Sequence, residues 1–105
     1  MGFLDFLKGP DINRGMEEFK KTPGAVLVDV RTSPEYRQGH IPKSINVPLA
    51  VIERVNDHVE SQHTPIYVYC QSGARSRQAV WALQRMGYKN VTDIGGIALY
   101  RGKVE

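Results

Sequence analysis

The sequence predicts an α/β domain with a central parallel sheet and helices on both of its faces. Three observations carry that expectation. Short β-forming runs alternate with helical patterns along the chain, the order that parallel strands joined by crossover helices require. The run Ala25-Val26-Leu27-Val28-Asp29-Val30 is almost unbroken apolar sequence, as befits a strand covered on both faces. An amphipathic helix, residues 73–86, follows directly on a second such run, Ile66-Tyr67-Val68-Tyr69.

Each element has its own local reason. Residues 11–21 form a helical pattern with Met16 and Phe19 inward, ended by Thr22-Pro23-Gly24. After the 25–30 strand, Ser33 is expected to cap a short helix with Pro34 in its first turn, and Gly39 to close it in a left-handed conformation. Residues 44–47, stopped by Pro48, make a second short strand. Residues 49–60 place Ile52, Val55 and Val59 at helical spacing, and Thr64-Pro65 breaks the chain before the 66–69 strand. In the 73–86 helix Ala79, Ala82, Leu83 and Met86 make the inward stripe, with Gly87 just beyond. Residues 90–94 are the last predicted strand.

At 105 residues the chain fits one domain, residues 11–105, preceded by an arm of residues 1–10. That length buries a core without disulfide or metal staples. Hydrophobic residues make up 41% and charged residues 24%, as in an ordinary soluble globule. No run approaches the roughly 20 apolar residues of a membrane span. The arm Met1-Gly2-Phe3-Leu4-Asp5-Phe6-Leu7-Lys8 is interrupted by Asp5 and lacks a basic start and a small-residue cleavage site, so it is expected to be mature chain packing on the domain or docking weakly. Gly2 is no acylation signal, because Phe6 stands where Ser or Thr is needed.

Fourteen Lys and Arg against eleven Asp and Glu leave a formal charge of +3. The cations are scattered apart from Arg75, Arg77 and Arg85. Without a basic run interleaved with aromatics, nucleic acid is not an expected partner, whereas a small anion is. The chain has one cysteine, hence no internal disulfide, and suits a reducing compartment. A cytoplasmic location is expected, although a periplasmic single-thiol enzyme has the same cysteine count.

That cysteine, Cys70, stands where the 66–69 strand meets the loop Gln71-Ser72-Gly73-Ala74-Arg75 and the next helix begins. Amide N–H groups and the positive end of a helix dipole can therefore converge on its sulfur. A cysteine thiol ordinarily titrates near about 8.5, and such surroundings lower that value. Gly73 permits the turn and Arg75 supplies a cation. A lone cysteine is more often a small buried hydrophobe, but this loop tips the balance toward a nucleophile.

Four separated stretches form one pattern: Leu27-Val28-Asp29-Val30-Arg31, Gly39-His40-Ile41-Pro42-Lys43-Ser44-Ile45-Asn46, Tyr67-Val68-Tyr69-Cys70-Gln71-Ser72-Gly73-Ala74-Arg75-Ser76, and Gly95-Gly96. Together, over residues 11–102, they resemble the single-domain rhodaneses, the small thiosulfate sulfurtransferases. The resemblance implies a rhodanese-like three-layer α/β domain and a persulfide carried on Cys70, with Gln71, Ser72, Gly73, Ala74, Arg75 and Ser76 binding the substrate. It implies no cofactor and no metal. The donor would be a small sulfur anion such as thiosulfate. The acceptor, an external thiol or cyanide, with protein thiols among the candidates, must be another molecule, since no second cysteine exists here. Tyr100 stands where the family often has Trp.

Two other functions compete. Cysteine phosphatases also close a loop with arginine, but they place five residues between Cys and Arg, and here Gln71, Ser72, Gly73 and Ala74 make four. A noncatalytic rhodanese-like interaction module is the second rival, set against the joint presence of Cys70 and Arg75. For other residues a structural role is expected. Arg75 could pair with Glu35, although substrate or thiolate contact is the favoured role, and Arg77 belongs to the surface. Asp29 and Arg31 suit an ion pair or loop anchor. His40 would hold its turn by a backbone bond. His58 and His63 have no partners at metal-ligand spacing. Gly95-Gly96 would allow close backbone approach or a tight turn, and Trp81 would be partly buried beside Arg77 and Arg85.

Overall fold

The computed structural model describes residues 9–105, so the expectations for the N-terminal arm lie outside the described residues except at Gly9 and Pro10. Helix α1 (Ile12–Lys21) leads into strand β1 (Val26–Asp29), short helix α2 (Ser33–Arg37) and strand β2 (Ile45–Asn46). A 3-10 segment, Leu49–Asp57, precedes strand β3 (Ile66–Cys70), helix α3 (Ala74–Arg85), strand β4 (Val91–Gly96) and a last 3-10 turn, Ile97–Leu99. The four strands form one sheet in the order β2-β1-β3-β4, parallel at every pairing.

Side-chain alternation along β3 divides the interior into two layers. Ile66, Val68 and Cys70 pack with Val28, Val30, Val55, Ala79 and Leu83, on the face covered by α3 and the 3-10 segment. Tyr67 and Tyr69 turn to the opposite face, among Ile12, Met16, Leu27, Ile41 and Ile94 under α1. Phe19 meets Tyr67 edge-on with ring centroids 5.7 Å apart. All five residues of β3 are buried, as a central parallel strand requires. The strand period thus sends Cys70 to the α3 side. Tyr100, partly buried, packs against the α1-side layer. Among the described residues no helix is long and apolar enough to cross a membrane.

Several boundaries differ from expectation for local reasons. Thr32, not Ser33, caps α2: its side chain accepts the Glu35 N–H while Glu35 returns a bond to the Thr32 N–H. This capping box satisfies two of the helix's open donors, and a cap of this kind contributes about 1 kcal/mol. Residues 49–60 do not form a regular α-helix. Val51 adopts φ −127° and ψ 37°, which kinks the 3-10 segment, and it ends at Asp57 with His58 as cap. Strand β4 begins one residue late and runs on through Gly95 and Gly96, because both glycines pair with the end of β3. They therefore lie within a strand and not in a turn. Ile94 is the extra residue of a bulge, since Val68 pairs with Asp93 and Tyr69 with Gly95.

Candidate active site

In the order β2-β1-β3-β4 the connections from β1 and β3 run to opposite sides, so a crevice opens beyond the carboxyl ends of these two strands. Cys70 ends β3 at that place. Its successors Gln71, Ser72 and Gly73 curl over it, and α3 starts at Ala74. The turn depends on Gly73, whose φ of +107° is one that side-chain-bearing residues rarely adopt.

The sulfur is fully buried, yet its surroundings are polar on one side. The Gly73 N–H points at Sγ with N···S 3.0 Å, and the Ser76 hydroxyl lies 3.5 Å away. Burial alone would push the thiol up. The side-chain hydrogen bond with Ser76 and those from the amides of Ser76, Gly73 and Ser72 outweigh it, and the net effect lowers the Cys70 pKa below the ordinary thiol value. The aliphatic wall behind the sulfur and the amides before it coexist. Gln71, Ser72 and Ala74 are exposed, so the loop that covers the sulfur is itself at the surface.

The other loop residues divide by task. Ser76 is buried and donates to Asp93 Oδ1 at 2.8 Å, with the Gly73 carbonyl at 3.1 Å. The Gln71 carbonyl accepts the Ala98 N–H at 3.2 Å, and its side chain accepts a bond from Arg31 at 3.3 Å. Ala74 opens α3 with its side chain exposed, and it contributes position alone. Gly96 passes so near the loop that an added Cβ would lie 2.7 Å from the Ser72 Cα. This is the close backbone approach expected of the glycine pair.

Arg75 makes the Glu35 pairing that the sequence also allowed. Its guanidinium grips Glu35 in a bidentate pair of 2.7 and 3.0 Å, and the two side chains remain about a third exposed. The pairing, with the Thr32 N–H, holds the Glu35 carboxyl at about 2. Arg75 still lies in the electrostatic reach of Cys70, and its own pKa is raised chiefly by Glu35. It thus ties α2 to the start of α3 while keeping a cation near the sulfur.

Arg31 and Asp29 do form the expected ion pair, buried and 2.8 Å long. Arg31 also donates to the Gly39 carbonyl at 2.6 Å and to Gln71, and it lies 5.9 Å over the Tyr69 ring. It is the link between the β1 end and the Cys70 loop. His40 bonds the Tyr36 carbonyl through Nδ1 at 2.9 Å and stacks on the Tyr36 ring, which accords with a turn-holding role. Trp81 is 55% exposed, and among the described residues no guanidinium stacks on it. Asp93 is a site neighbour that no motif of the sequence marks; its register opposite Val68 puts it on the α3 side of the sheet, where it meets Ser76.

No three His, Cys, Asp or Glu side chains group as metal ligands among the described residues. A cavity of about 470 Å³ opens elsewhere, between α2, the end of β2 and the 3-10 segment, and is lined in part by Ser33, Asn46, Arg54 and His58. Cys70 takes no part in it.

Comparison with known proteins points the same way as the geometry. Thiosulfate sulfurtransferase PspE of Escherichia coli is 38% identical over 71 residues, which span 67% of this chain and 68% of that protein. The adenylyltransferase and sulfurtransferase uba4 of Ogataea parapolymorpha is 34% identical over 91 residues, 86% of this chain but 23% of its own length. This chain therefore corresponds to a minor part of uba4. A rhodanese with anions from E. coli superposes with a TM-score of 0.72 at 33% identity, covering 77% of this chain and 96% of that one. Such relatives support sulfur transfer as the general activity. Residues 14–103 match the Rhodanese-like domain, and the chain belongs to that family.

Proposed function

We propose that the protein is a sulfurtransferase that moves a sulfane sulfur from thiosulfate, or a related donor, to a thiol or cyanide through a persulfide on Cys70. The observation that carries this reading is a buried sulfur whose negative form is favoured by converging amides. Attack by the Cys70 thiolate on the outer sulfur of thiosulfate forms the new S–S bond and releases sulfite with the electron pair of the bond that breaks. An external thiolate or cyanide then takes the outer sulfur and restores the Cys70 thiolate. The outer sulfur would sit against the same N–H groups, for which Ser72, Gly73 and Ser76 are the principal donors.

Gln71, Ala74 and Arg75 serve this reading indirectly, by anchoring the loop and supplying positive potential. The E. coli structural relative is a rhodanese with anions, which accords with a small anion as the substrate. We place the activity in the cytoplasm, where the single thiol stays reduced and thiol acceptors abound. The test is a thiosulfate and cyanide assay beside Cys70→Ser, with mass spectrometry of the thiosulfate-treated protein. A gain of one sulfur by the native chain and loss of turnover in a folded variant are expected. Equal activity in both proteins would refute the assignment.

A further inference from the structure

The Ser76 hydroxyl carries one hydrogen and faces three acceptors: Asp93 Oδ1 at 2.8 Å, the Gly73 carbonyl at 3.1 Å and Cys70 Sγ at 3.5 Å. The short contact to a carboxylate is where that hydrogen belongs, because a charged acceptor makes the stronger bond. With its hydrogen on Asp93, Ser76 turns a lone pair to the sulfur and accepts the Cys70 S–H. The resting chain then runs in one sense, from thiol to hydroxyl to carboxylate. Asp93 is held independently of the loop. It sits in β4 opposite Val68, and its Oδ1 also accepts the Gly95 N–H at 2.9 Å.

We propose that Asp93 is a positioning residue that competes with the Cys70 sulfur for the Ser76 hydrogen, holding it in the thiol state and yielding it when the sulfur becomes a thiolate or persulfide. The inference rests on the sulfur-carrying role of Cys70. The thiol proton leaves to solvent base and the Ser76 hydroxyl rotates from carboxylate to sulfur, with no proton passing to Asp93. Other charges around the pocket are Arg75 on α3, Glu35 on α2 and the Asp29–Arg31 pair at the end of β1. None of these bonds the Ser76 hydroxyl among the described residues. The competition makes Asp93 a brake on thiolate formation, with Ser76 as the part that moves.

The Cys70 titration tests this, read without any sulfur donor from the thiolate ultraviolet absorbance of the full chain, whose one cysteine removes ambiguity. Asp93→Ala should lower the thiol midpoint by about one pH unit, because the hydroxyl is freed to serve the sulfur. Asp93→Asn, whose neutral amide oxygen accepts the same two bonds more weakly, should lower the midpoint by less than half as much. In a Ser76→Ala background, Asp93→Ala should have no further effect. Should Asp93→Ala fail to fold, Asp93→Ser reads the same shift, since its shorter hydroxyl can bond the Gly95 N–H but cannot reach Ser76. An unchanged midpoint in Asp93→Ala or Asp93→Ser overturns the proposal. So does an equal shift in Asp93→Asn, or a shift that persists without Ser76, because either outcome makes charge alone the cause. A native protein that takes up no sulfur would instead refute the carrier role, and the donor-free titration would still decide the Asp93 proposal.

Discussion

Strands β1 and β3 end side by side, and they treat charge in opposite ways. At the end of β1, Asp29 and Arg31 neutralise each other in a buried pair, with remaining donors spent on Gly39 and Gln71. At the end of β3, Cys70 meets the Gly73 N–H and the Ser76 hydroxyl, with no fixed counter-charge bonded to it. The first arrangement is saturated and serves as an anchor. The second turns its donors to the sulfur, and under the proposed function the same donors would hold an anion that arrives.

The sharpest way to break the comparison is to unbalance the saturated side. Asp29→Ala leaves the Arg31 guanidinium buried without its partner and should cost about 3–5 kcal/mol in urea unfolding. A loss below about 1 kcal/mol would mean that the pair anchors nothing. On the reactive side, Gly96→Ala forces a Cβ against the Ser72 backbone and should cost about 1–3 kcal/mol. Thiolate reactivity should fall with it, since the loop donors are displaced. Denaturation and alkylation rates measured on one variant would show whether stability and cradle geometry move together.

The smallest effect should come from the partly exposed pair. Arg75→Ala is expected to cost less than about 1 kcal/mol in unfolding. Its clearer mark is on Glu35, whose carboxyl should titrate well above its native value of about 2, readable by carbon-13 NMR. Because the folded value is depressed below the ordinary 4.5, the pair's contribution is complete above that pH. It is lost as pH falls through about 2. An unmoved Glu35 midpoint in the variant would leave the Thr32 N–H as the main cause.

Much of this was legible from residue patterns. The unbroken apolar runs of β1 and β3 announced strands covered on both faces, and the Ala79–Leu83 stripe placed α3 against the sheet. Cys70 at a strand end before a glycine turn marked the cradle. Other features depended on pairing across the chain. The pairing of Asp93 with Val68 brings it to Ser76, and no local pattern announces which residue of one strand will stand opposite another. Glu35 three residues after Thr32 is a capping-box signal that was present in the sequence, and the competing claim of Ser33 beside Pro34 obscured it. The 49–57 segment misled because Ile52 and Val55 fit helical spacing and do pack on the core, while the backbone kinks between them and Leu49 at Val51. Arg75 stood beside two anions, Cys70 and Glu35, and the carboxylate offers the bidentate geometry that a single sulfur lacks.

The central claim is that amides at the end of β3 overcome burial and favour a negative Cys70 sulfur. It is tested most directly by the pH dependence of iodoacetamide alkylation of the native chain. Because the folded pKa is lowered, the rate should reach its plateau through a midpoint below that of the same thiol in the unfolded chain. A midpoint at or above that value would show that burial dominates, and would contradict the account.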